Sequence, residues 1–189
     1  ALEERQRYQQ ALDYLKISLS AWGKETQETS TPDGAWEGNQ DGSLLDYVEK
    51  LKTAELAIRH TIDEAEKNAQ RLEPWGNFDW EKIQQLQQES GLQVYFYACA
   101  AKSFQAEWAE KYFATPIDEY HKRTYFLAFS DVEPDIKAER LELPAGSLDQ
   151  YRQEATAAKK ALQENHDQTC RLARLYKDTL VKGLEQAQS

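Results

Sequence analysis

The sequence has 189 residues, of which 40% are hydrophobic and 30% are charged. This length is enough for one core of ordinary size, and the charged fraction favours an elongated, well-solvated molecule over a sphere. The formal net charge is -10, which excludes nucleic-acid phosphates and anionic membrane surfaces as expected partners, because both attract clustered Lys and Arg. A basic protein surface is the kind of partner that this charge favours.

The ends and the cysteines suggest a cytosolic context. The chain begins at Ala1 inside a helical pattern, so we expect an internal fragment of a longer protein, with a processed terminus as the alternative. No run approaches the roughly 18 apolar residues of a membrane span, and no secretory signal is recognisable, which predicts a soluble piece. Cys99 and Cys170 suit a reducing compartment, and we expect no disulfide between them.

The first segment predicts a helical arm over residues 1–22. Its apolar residues recur at spacings of four and three, which is typical of one seam of a helix. Gly23 ends this pattern, and residues 23–43 are rich in Gly, Thr, Ser, Asp and Asn, which predicts a long loop. The seam of the arm consists of Tyr8, Leu12, Leu15, Leu19 and Trp22.

A second helix is predicted for residues 44–73, with Ser43 as its N-cap and Glu73-Pro74 at its end. Its apolar positions keep strict a/d spacing and form a narrow stripe, which favours another helix as the packing partner. Glu55 alone breaks this stripe. The stripe consists of Leu44, Val48, Leu51, Glu55, Ile58, Ile62, Ala65, Ala69 and Leu72.

Residues 147–189 predict a returning helix that begins with Ser147 as N-cap, in a capping box with Gln150. Its seam keeps three-four spacing as far as Leu162 and then slips by about half a turn, a stutter that locally unwinds a supercoil. We expect this helix to pair antiparallel with residues 44–73 as a long two-helix coiled-coil stalk. Beyond the slip, the seam passes through Asn165 or His166 to Cys170, Ala173, Tyr176, Leu180 and Leu184.

Residues 74–146 predict a compact lobe at the tip of the stalk, with about three strands and two or three helices. A turn follows Pro74, then Asp79 caps a short helix that begins at Trp80, and Gly91 occupies the usual C-terminal stop position. Stalk and lobe together give an α+β fold that is mostly helical.

Three strands are predicted in the lobe. Aromatic and β-branched runs indicate strands at residues 93–99 and 124–129, with a helix between them at residues 103–113. A strand, a helix and a strand over this length favour a βαβ unit, so we expect these two strands to be parallel. A weaker strand at residues 138–143 is expected to pair antiparallel with the second.

The sequence contains no recognisable catalytic motif. There is no phosphate-binding glycine loop, no dinucleotide fingerprint and no nucleophile elbow. His60, His121 and His166 lack the spacing of metal ligands, and carboxylates such as Glu64 and Glu66 lie beside lysines, which indicates solvated charge. We therefore expect no catalytic residue, cofactor or metal. A small enzyme built on the lobe is an alternative that would need a pocket with convergent polar groups.

The aromatic residues are concentrated between Trp75 and Phe129, where a small lobe with few aliphatic residues needs them as its core. No Arg or Lys is interleaved with the aromatic residues of the strands, which argues against a stacking platform for bases. The exposed minority among Trp108, Tyr112 and Phe113 is expected to mark a protein contact, since aromatic residues are enriched in interfaces.

The order of these segments resembles a known family. A seamed helix ends in RLEPWGNFDWEKIQQLQQESGLQVYFY, then come YFLAFS and ERLELPAGSLDQYRQE, which leads into a long helix. This order resembles the N-terminal cytosolic region of subunit I of bacterial and archaeal V/A-type ATPases (ATP synthases), which is related to eukaryotic subunit a. The resemblance spans residues 44–189. Its most specific element, directly after the second helix, consists of Pro74, Trp75, Gly76, Phe78 and Asp79.

The resemblance implies a non-catalytic stator piece of a proton- or sodium-translocating rotary ATPase, on the cytoplasmic face of the membrane. It implies that the lobe contacts the E/G-type coiled-coil subunits of the peripheral stalk. The membrane sector would be reached through a C-terminal membrane half that has no counterpart in this sequence, so no ion-conducting residue is carried over. A generic coiled-coil adaptor or tether that self-associates is the alternative that the residues leave open.

Overall fold

The computed structural model describes residues 2–26, 43–77 and 79–189, and it contains both helices and a sheet. The chain divides into two compact units. We call Ala1–Asp63 with Thr156–Ser189 the helical unit, and Glu64–Ala155 the sheet unit. The helices are α1 (Leu2–Trp22), α2 (Leu44–Leu72), α3 (Trp80–Ser90), α4 (Ala106–Tyr112) and α5 (Leu148–Gln188). The strands are β1 (Gln93–Ala100), β2 (Thr115–Tyr120), β3 (Arg123–Ser130) and β4 (Glu139–Leu141).

The predicted starts of three helices are confirmed by their caps. The hydroxyl of Ser43 accepts a hydrogen bond from the amide three residues further on, at 3.0 Å, and the hydroxyl of Ser147 does the same at 3.1 Å. The carboxylate of Asp79 accepts a hydrogen bond from the amide of Glu81 at 3.0 Å. These side chains stabilise amides that have no partner inside the helix, which fixes where α2, α5 and α3 begin.

Three helices form the core of the helical unit, where the sequence predicted a stalk of two. The seam of α1 packs with α2 and α5, because an apolar stripe on a helix is stable only when another element covers it. Within this unit, the predicted stripe of α2 is buried as far as Glu55 and half-buried at Ile58 and Ile62. The buried core residues are Ala11, Leu12, Leu15, Leu44, Leu45, Val48, Leu51, Leu172, Ala173 and Leu180.

Side-chain contacts give the directions of the three helices within this unit. Arg7 near the start of α1 pairs with Asp46 near the start of α2, at 2.7 Å. Tyr14, further along α1, bonds to Glu55, further along α2. These two helices are therefore parallel. The helix α5 runs antiparallel to both. Near its end, Gly183 faces the ring of Tyr8, which would lie 2.5 Å from an added Cβ, so only glycine permits this approach.

The sheet unit contains a four-stranded antiparallel sheet in the order β2-β3-β1-β4. The prediction that residues 93–99 and 124–129 are parallel strands of a βαβ unit is wrong, because β1 and β3 pair antiparallel from Gln93 opposite Ser130 to Ala100 opposite Arg123. The weak third strand exists as β4, but it pairs with β1. The prediction that it pairs with β3 is wrong, because β1 and β2 already pair with the two edges of β3.

The strand β2 was not predicted, and it explains the reversal of direction. Its residues are largely exposed and include Pro116, so they lack the apolar alternation that marks a half-buried strand. His121 and Lys122 both have positive φ values, 52° and 63°, as a two-residue hairpin turn of type I′ requires. This turn sends the chain directly from β2 back into β3, and it replaces the expected crossover.

The sheet is covered on both faces. On one face, Tyr97 and Phe126 stack with ring centroids 5.3 Å apart, and α4 packs over them. On the other face, Phe96 meets the rings of Trp75 and Trp80 edge-on, at 5.2 and 5.6 Å. Because both faces are covered, the sequences of β1 and β3 are continuous apolar runs without alternation, a pattern more typical of parallel sheets.

Candidate functional site

The motif that carries the family resemblance forms a corner after α2. Pro74 and Trp75 are buried in a short 3-10 turn, Glu73–Trp75. Gly76 follows with φ 67°. Residues other than glycine adopt such a positive φ only under backbone strain. The Trp75 indole meets Phe96 and Tyr125 edge-on, at 5.2 and 5.8 Å, so the end of the helix is fixed on one face of the sheet.

Polar bonds extend this corner to the start of α5. Asn77 accepts a hydrogen bond from the amide of Asp149 at 3.1 Å, and the indole of Trp80 donates to the carbonyl of Gly146 at 3.1 Å. Asp79 caps α3, as described above. Phe78 lies outside the described residues. The motif therefore joins α2, α3, β1 and α5 within the sheet unit, which is a structural role and involves no reactive group.

The three aromatic residues expected at a protein contact lie in different environments. Trp108 is 5% exposed and stacks on Phe126 at 5.5 Å, so it belongs to the core and offers no surface. Tyr112 is half-buried, and its hydroxyl accepts a hydrogen bond from the amide of Asp135 at 3.2 Å. Phe113 is 61% exposed and ends α4 with φ 52°. Of the three, only Phe113 has a largely exposed side chain.

A buried polar cluster lies in the helical unit, at the position where Glu55 breaks the stripe of α2. Glu55 is 7% exposed, and both of its carboxylate oxygens are bonded. Oε2 accepts from the hydroxyl of Tyr14 at 2.5 Å, and Oε1 accepts from Arg59 at 2.8 Å. These hydrogen bonds offset the free-energy cost of burying a carboxylate between helices.

The imidazole of His166 completes this cluster. Its ring stacks on Trp22 with centroids 3.5 Å apart and planes 8° apart, and Nε2 lies 3.8 Å from Oε1 of Glu55. Among the described residues, no hydrogen-bond partner is found for His166 Nε2, Ser18 Oγ or Asn165 Oδ1. Asn165 does donate to the carbonyl of Leu51 at 3.1 Å. We call Tyr14, Ser18, Trp22, Glu55, Arg59, Asn165 and His166 the polar layer.

Burial and charge act in opposite directions on Glu55. Burial raises its pKa, but hydrogen bonds from Tyr14 and Arg59 lower it more, so the pKa lies below its usual value of 4.5. Burial raises the pKa of Tyr14, and the bond to Glu55 adds to that rise. Burial lowers the pKa of His166, with Glu55 opposing and Arg59 adding to the shift. The layer therefore holds a charged Glu55 beside a neutral imidazole near neutral pH.

Replacing Glu55 with glutamine is expected to destabilise the helical unit by about 1.5 kcal/mol, because charged hydrogen bonds to Tyr14 and Arg59 are lost. The stabilising contribution of the carboxylate is present above about pH 4.5 and is lost as the pH falls through the lowered pKa. Urea unfolding measures the change. The same substitution at Glu49, an exposed partner of Arg7, should cost under about 0.5 kcal/mol, and equal effects at both positions would contradict the prediction.

Among residues 2–26, 43–77 and 79–189, no group of three or more His, Cys, Asp or Glu side chains could hold a metal ion. The histidines His60, His121 and His166 lie on α2, in the β2–β3 turn and on α5. Both cysteines are buried free thiols. The polar layer could not be located from the sequence beyond Glu55 and the slip near Asn165 and His166, since its members come from three separated segments.

Comparisons with known proteins find a similarity among solved structures. No protein-family model matches the chain, and no curated protein matches it. Among solved structures, the chain is similar to the crystal structure of the cytoplasmic N-terminal domain of subunit I, homolog of subunit a, of V-ATPase. The identity is 16% and the TM-score is 0.49, over 98% of this chain and 69% of that chain.

None of the helices in the described part of the chain combines the length and the apolar character that crossing a membrane requires.

Proposed function

We propose that the chain is a cytosolic part of subunit I of a rotary V-type ATPase or ATP synthase, where it serves as a non-catalytic stator element. The observation that supports this role is the corner at Trp75. Of the residues that carry the family resemblance, Trp75 packs the end of α2 on the sheet, Pro74 is buried in the same turn, and Asp79 caps the helix that follows. A stator needs a rigid connection between its helix and its lobe, because it must resist torque without moving.

In this proposal, α2 and α5 form the stalk and the sheet unit is the lobe that binds the peripheral stalk. The complex translocates protons or sodium ions, and this chain links its membrane sector to the E/G-type coiled-coil subunits on the cytoplasmic face. The membrane sector is reached through a C-terminal half of the full protein. The acidic net charge of -10 favours a basic partner surface, which steers association and makes it sensitive to salt.

Calorimetric titration with a purified E/G heterodimer tests this role directly. We expect saturable one-to-one binding that weakens at higher salt. Absence of binding by a well-folded chain, together with self-association, would reject the stator role.

Phe113 is proposed as a contact residue of the lobe, because its ring is 61% exposed while the neighbouring Trp108 is buried. Replacing Phe113 with aspartate is expected to weaken binding of the E/G heterodimer by about tenfold, as loss of an aromatic anchor does. Calorimetry measures the affinity. Leu86→Asp is the matched control, since Leu86 is 50% exposed on α3, and it should bind like the parent. Unchanged affinity of the Phe113 variant would place the contact elsewhere on the chain.

The second candidate function is a coiled-coil adaptor that self-associates. One observation favours it: apolar side chains are exposed on all three helices of the helical unit, at Ile17 (67%), Leu56 (62%) and Leu175 (60%). Such residues could join two copies of the chain if they form a continuous surface. Sedimentation equilibrium separates the two roles, because the stator element should be monomeric and the adaptor a dimer whose mass depends on concentration.

A further inference from the structure

His166 lies where the three helices of the helical unit meet. It extends from α5, its ring stacks on Trp22 at the end of α1, and its Nε2 lies 3.8 Å from the carboxylate of Glu55 on α2. The side chain is 8% exposed. A group that titrates near neutral pH is thus placed inside the contact between α1 and the other two helices.

The two charged side chains nearest the imidazole from α2 already pair with each other. Glu55 carries one negative charge and Arg59 one positive charge, at 2.8 Å from each other. Both oxygens of Glu55 already accept hydrogen bonds, one from Arg59 and one from Tyr14 of α1. The remaining charged group that acts on the imidazole is Asp167, the next residue on α5. From α1, the ring faces the uncharged indole of Trp22.

A proton on His166 would disturb this arrangement. The new positive charge would lie beside Arg59, with little solvent to screen it. The nearest oxygen of Glu55 is 3.8 Å away, too far for a hydrogen bond, and already accepts from Arg59. It could be accommodated only if the imidazole turned towards water, which breaks the stack on Trp22. Burial as the leading cause of the lowered pKa of His166 agrees with this geometry. The packed state prefers the neutral ring, so the stabilisation is present above about pH 6.5 and is lost as the pH falls below it.

The geometry points to His166 as a proton-operated catch on α1, whose protonation loosens the packing of α1 against α2 and α5. The core of the contact is apolar, at residues such as Leu12 and Leu15. Asp46 and Glu55, which pair with α1, have lowered pKa values and so titrate well below the range of histidine. This inference does not depend on the proposed stator role. It assigns to the polar layer a regulatory action that the apolar seam alone could not provide.

Cys170 provides a reporter for this catch. Its thiol is fully buried, and its Sγ lies 3.7 Å from the carbonyl oxygen of Ser18 on α1. Access of a reagent to this thiol therefore requires α1 to move away. The sequence has one other cysteine, Cys99 in the sheet unit, so Cys99→Ala leaves Cys170 as the only thiol, and Cys170→Ala leaves Cys99.

The test compares thiol reaction rates with 4,4′-dithiodipyridine, a reagent that also reacts under acidic conditions. In the Cys99→Ala background, the parent is compared with His166→Phe, which keeps a ring for the Trp22 stack but cannot be protonated. We expect similar rates for the two at about pH 7.5 and a rate about tenfold higher in the parent at about pH 5.5, across the titration range of histidine. His166→Gln serves in place of the phenylalanine variant if that variant does not fold.

Two outcomes would overturn the inference. Equal rates for the parent and the neutral variants at every pH would mean that His166 has no part in the release of α1. A parallel rise in the reaction rate of Cys99, measured in the Cys170→Ala background, would mean that acid unfolds the whole chain. A rise confined to Cys170, and only with histidine at position 166, supports the catch.

Discussion

Replacement of Trp75 with alanine is expected to destabilise the sheet unit by about 4 kcal/mol, the usual cost of removing a large aromatic side chain from a core. The indole is 6% exposed and meets two rings of the sheet edge-on. Its loss leaves a cavity where α2 ends. The free energy of unfolding can be measured from the urea dependence of Cys99 alkylation, in the Cys170→Ala background, because Cys99 is buried in the same unit.

The phenylalanine variant is the matched control for Trp75. No hydrogen-bond partner is found for Trp75 Nε1 among the described residues, so Trp75→Phe should lose ring volume but no hydrogen bond and should cost clearly less than the alanine variant. If alanine and phenylalanine cost the same small amount, the corner is not a packed joint. The support that this corner gives to the proposed function would then be lost.

Replacement of Leu172 with alanine should destabilise the helical unit by about 3 kcal/mol, within the range for buried leucine. Leu172 is 1% exposed in the core shared by the three helices. It is not part of the seam predicted for a two-helix stalk, which passes through Cys170 and Ala173. Leu172 lies on the face of α5 from which Asn165 and Gln168 bond to α2, so the effect tests the packing of α5 within this core.

The matched control lies one turn further along the same helix. Leu175 is 60% exposed, so Leu175→Ala should change the free energy of unfolding by no more than about 0.5 kcal/mol. Both variants can be measured by urea unfolding, with protection of the Cys170 thiol as the signal for the helical unit. Similar costs for Leu172→Ala and Leu175→Ala would contradict the three-helix core.

The elements that the sequence predicted well are those whose signals are local. A narrow a/d stripe and a capping serine placed α2 correctly, and Asp79 and Gly91 placed both ends of α3. Each of these signals acts over a few residues, through one hydrogen bond or one backbone conformation. Tertiary packing does not have to be known to read them.

The parts that could not be predicted depend on partners distant in sequence. The strand β2 is exposed, so its pairing with β3 leaves no apolar pattern, and the direction of β1 and β3 was misjudged as a result. The third helix of the core was predicted from the apolar seam in residues 1–22, but such a seam does not show which other helices it packs against. For the same reason, the sequence showed that Glu55 interrupts the apolar stripe of α2, but it did not show that Tyr14 and Arg59 are its hydrogen-bond partners.

Of the candidate sites, the turn after Pro74 was predicted from the sequence and is present in the structure, whereas the aromatic protein contact stays a prediction. For Trp108 and Phe113, the period of a seven-residue helix is too short to tell the covered side from the open one. Only the structure separates the core ring from the exposed ring.

The open edge of the sheet at β2 has a consequence for how the chain behaves at high concentration. Pro116 removes one amide donor from this edge, the pairing is irregular between Pro116 and Asp118, and Glu119 adds a second negative charge. These features prevent the strand of another molecule from docking along the edge, since they break the hydrogen-bond ladder and repel an identical acidic strand. The sheet thus ends at β2, and the chain should refold from denaturant without forming intermolecular β-aggregates.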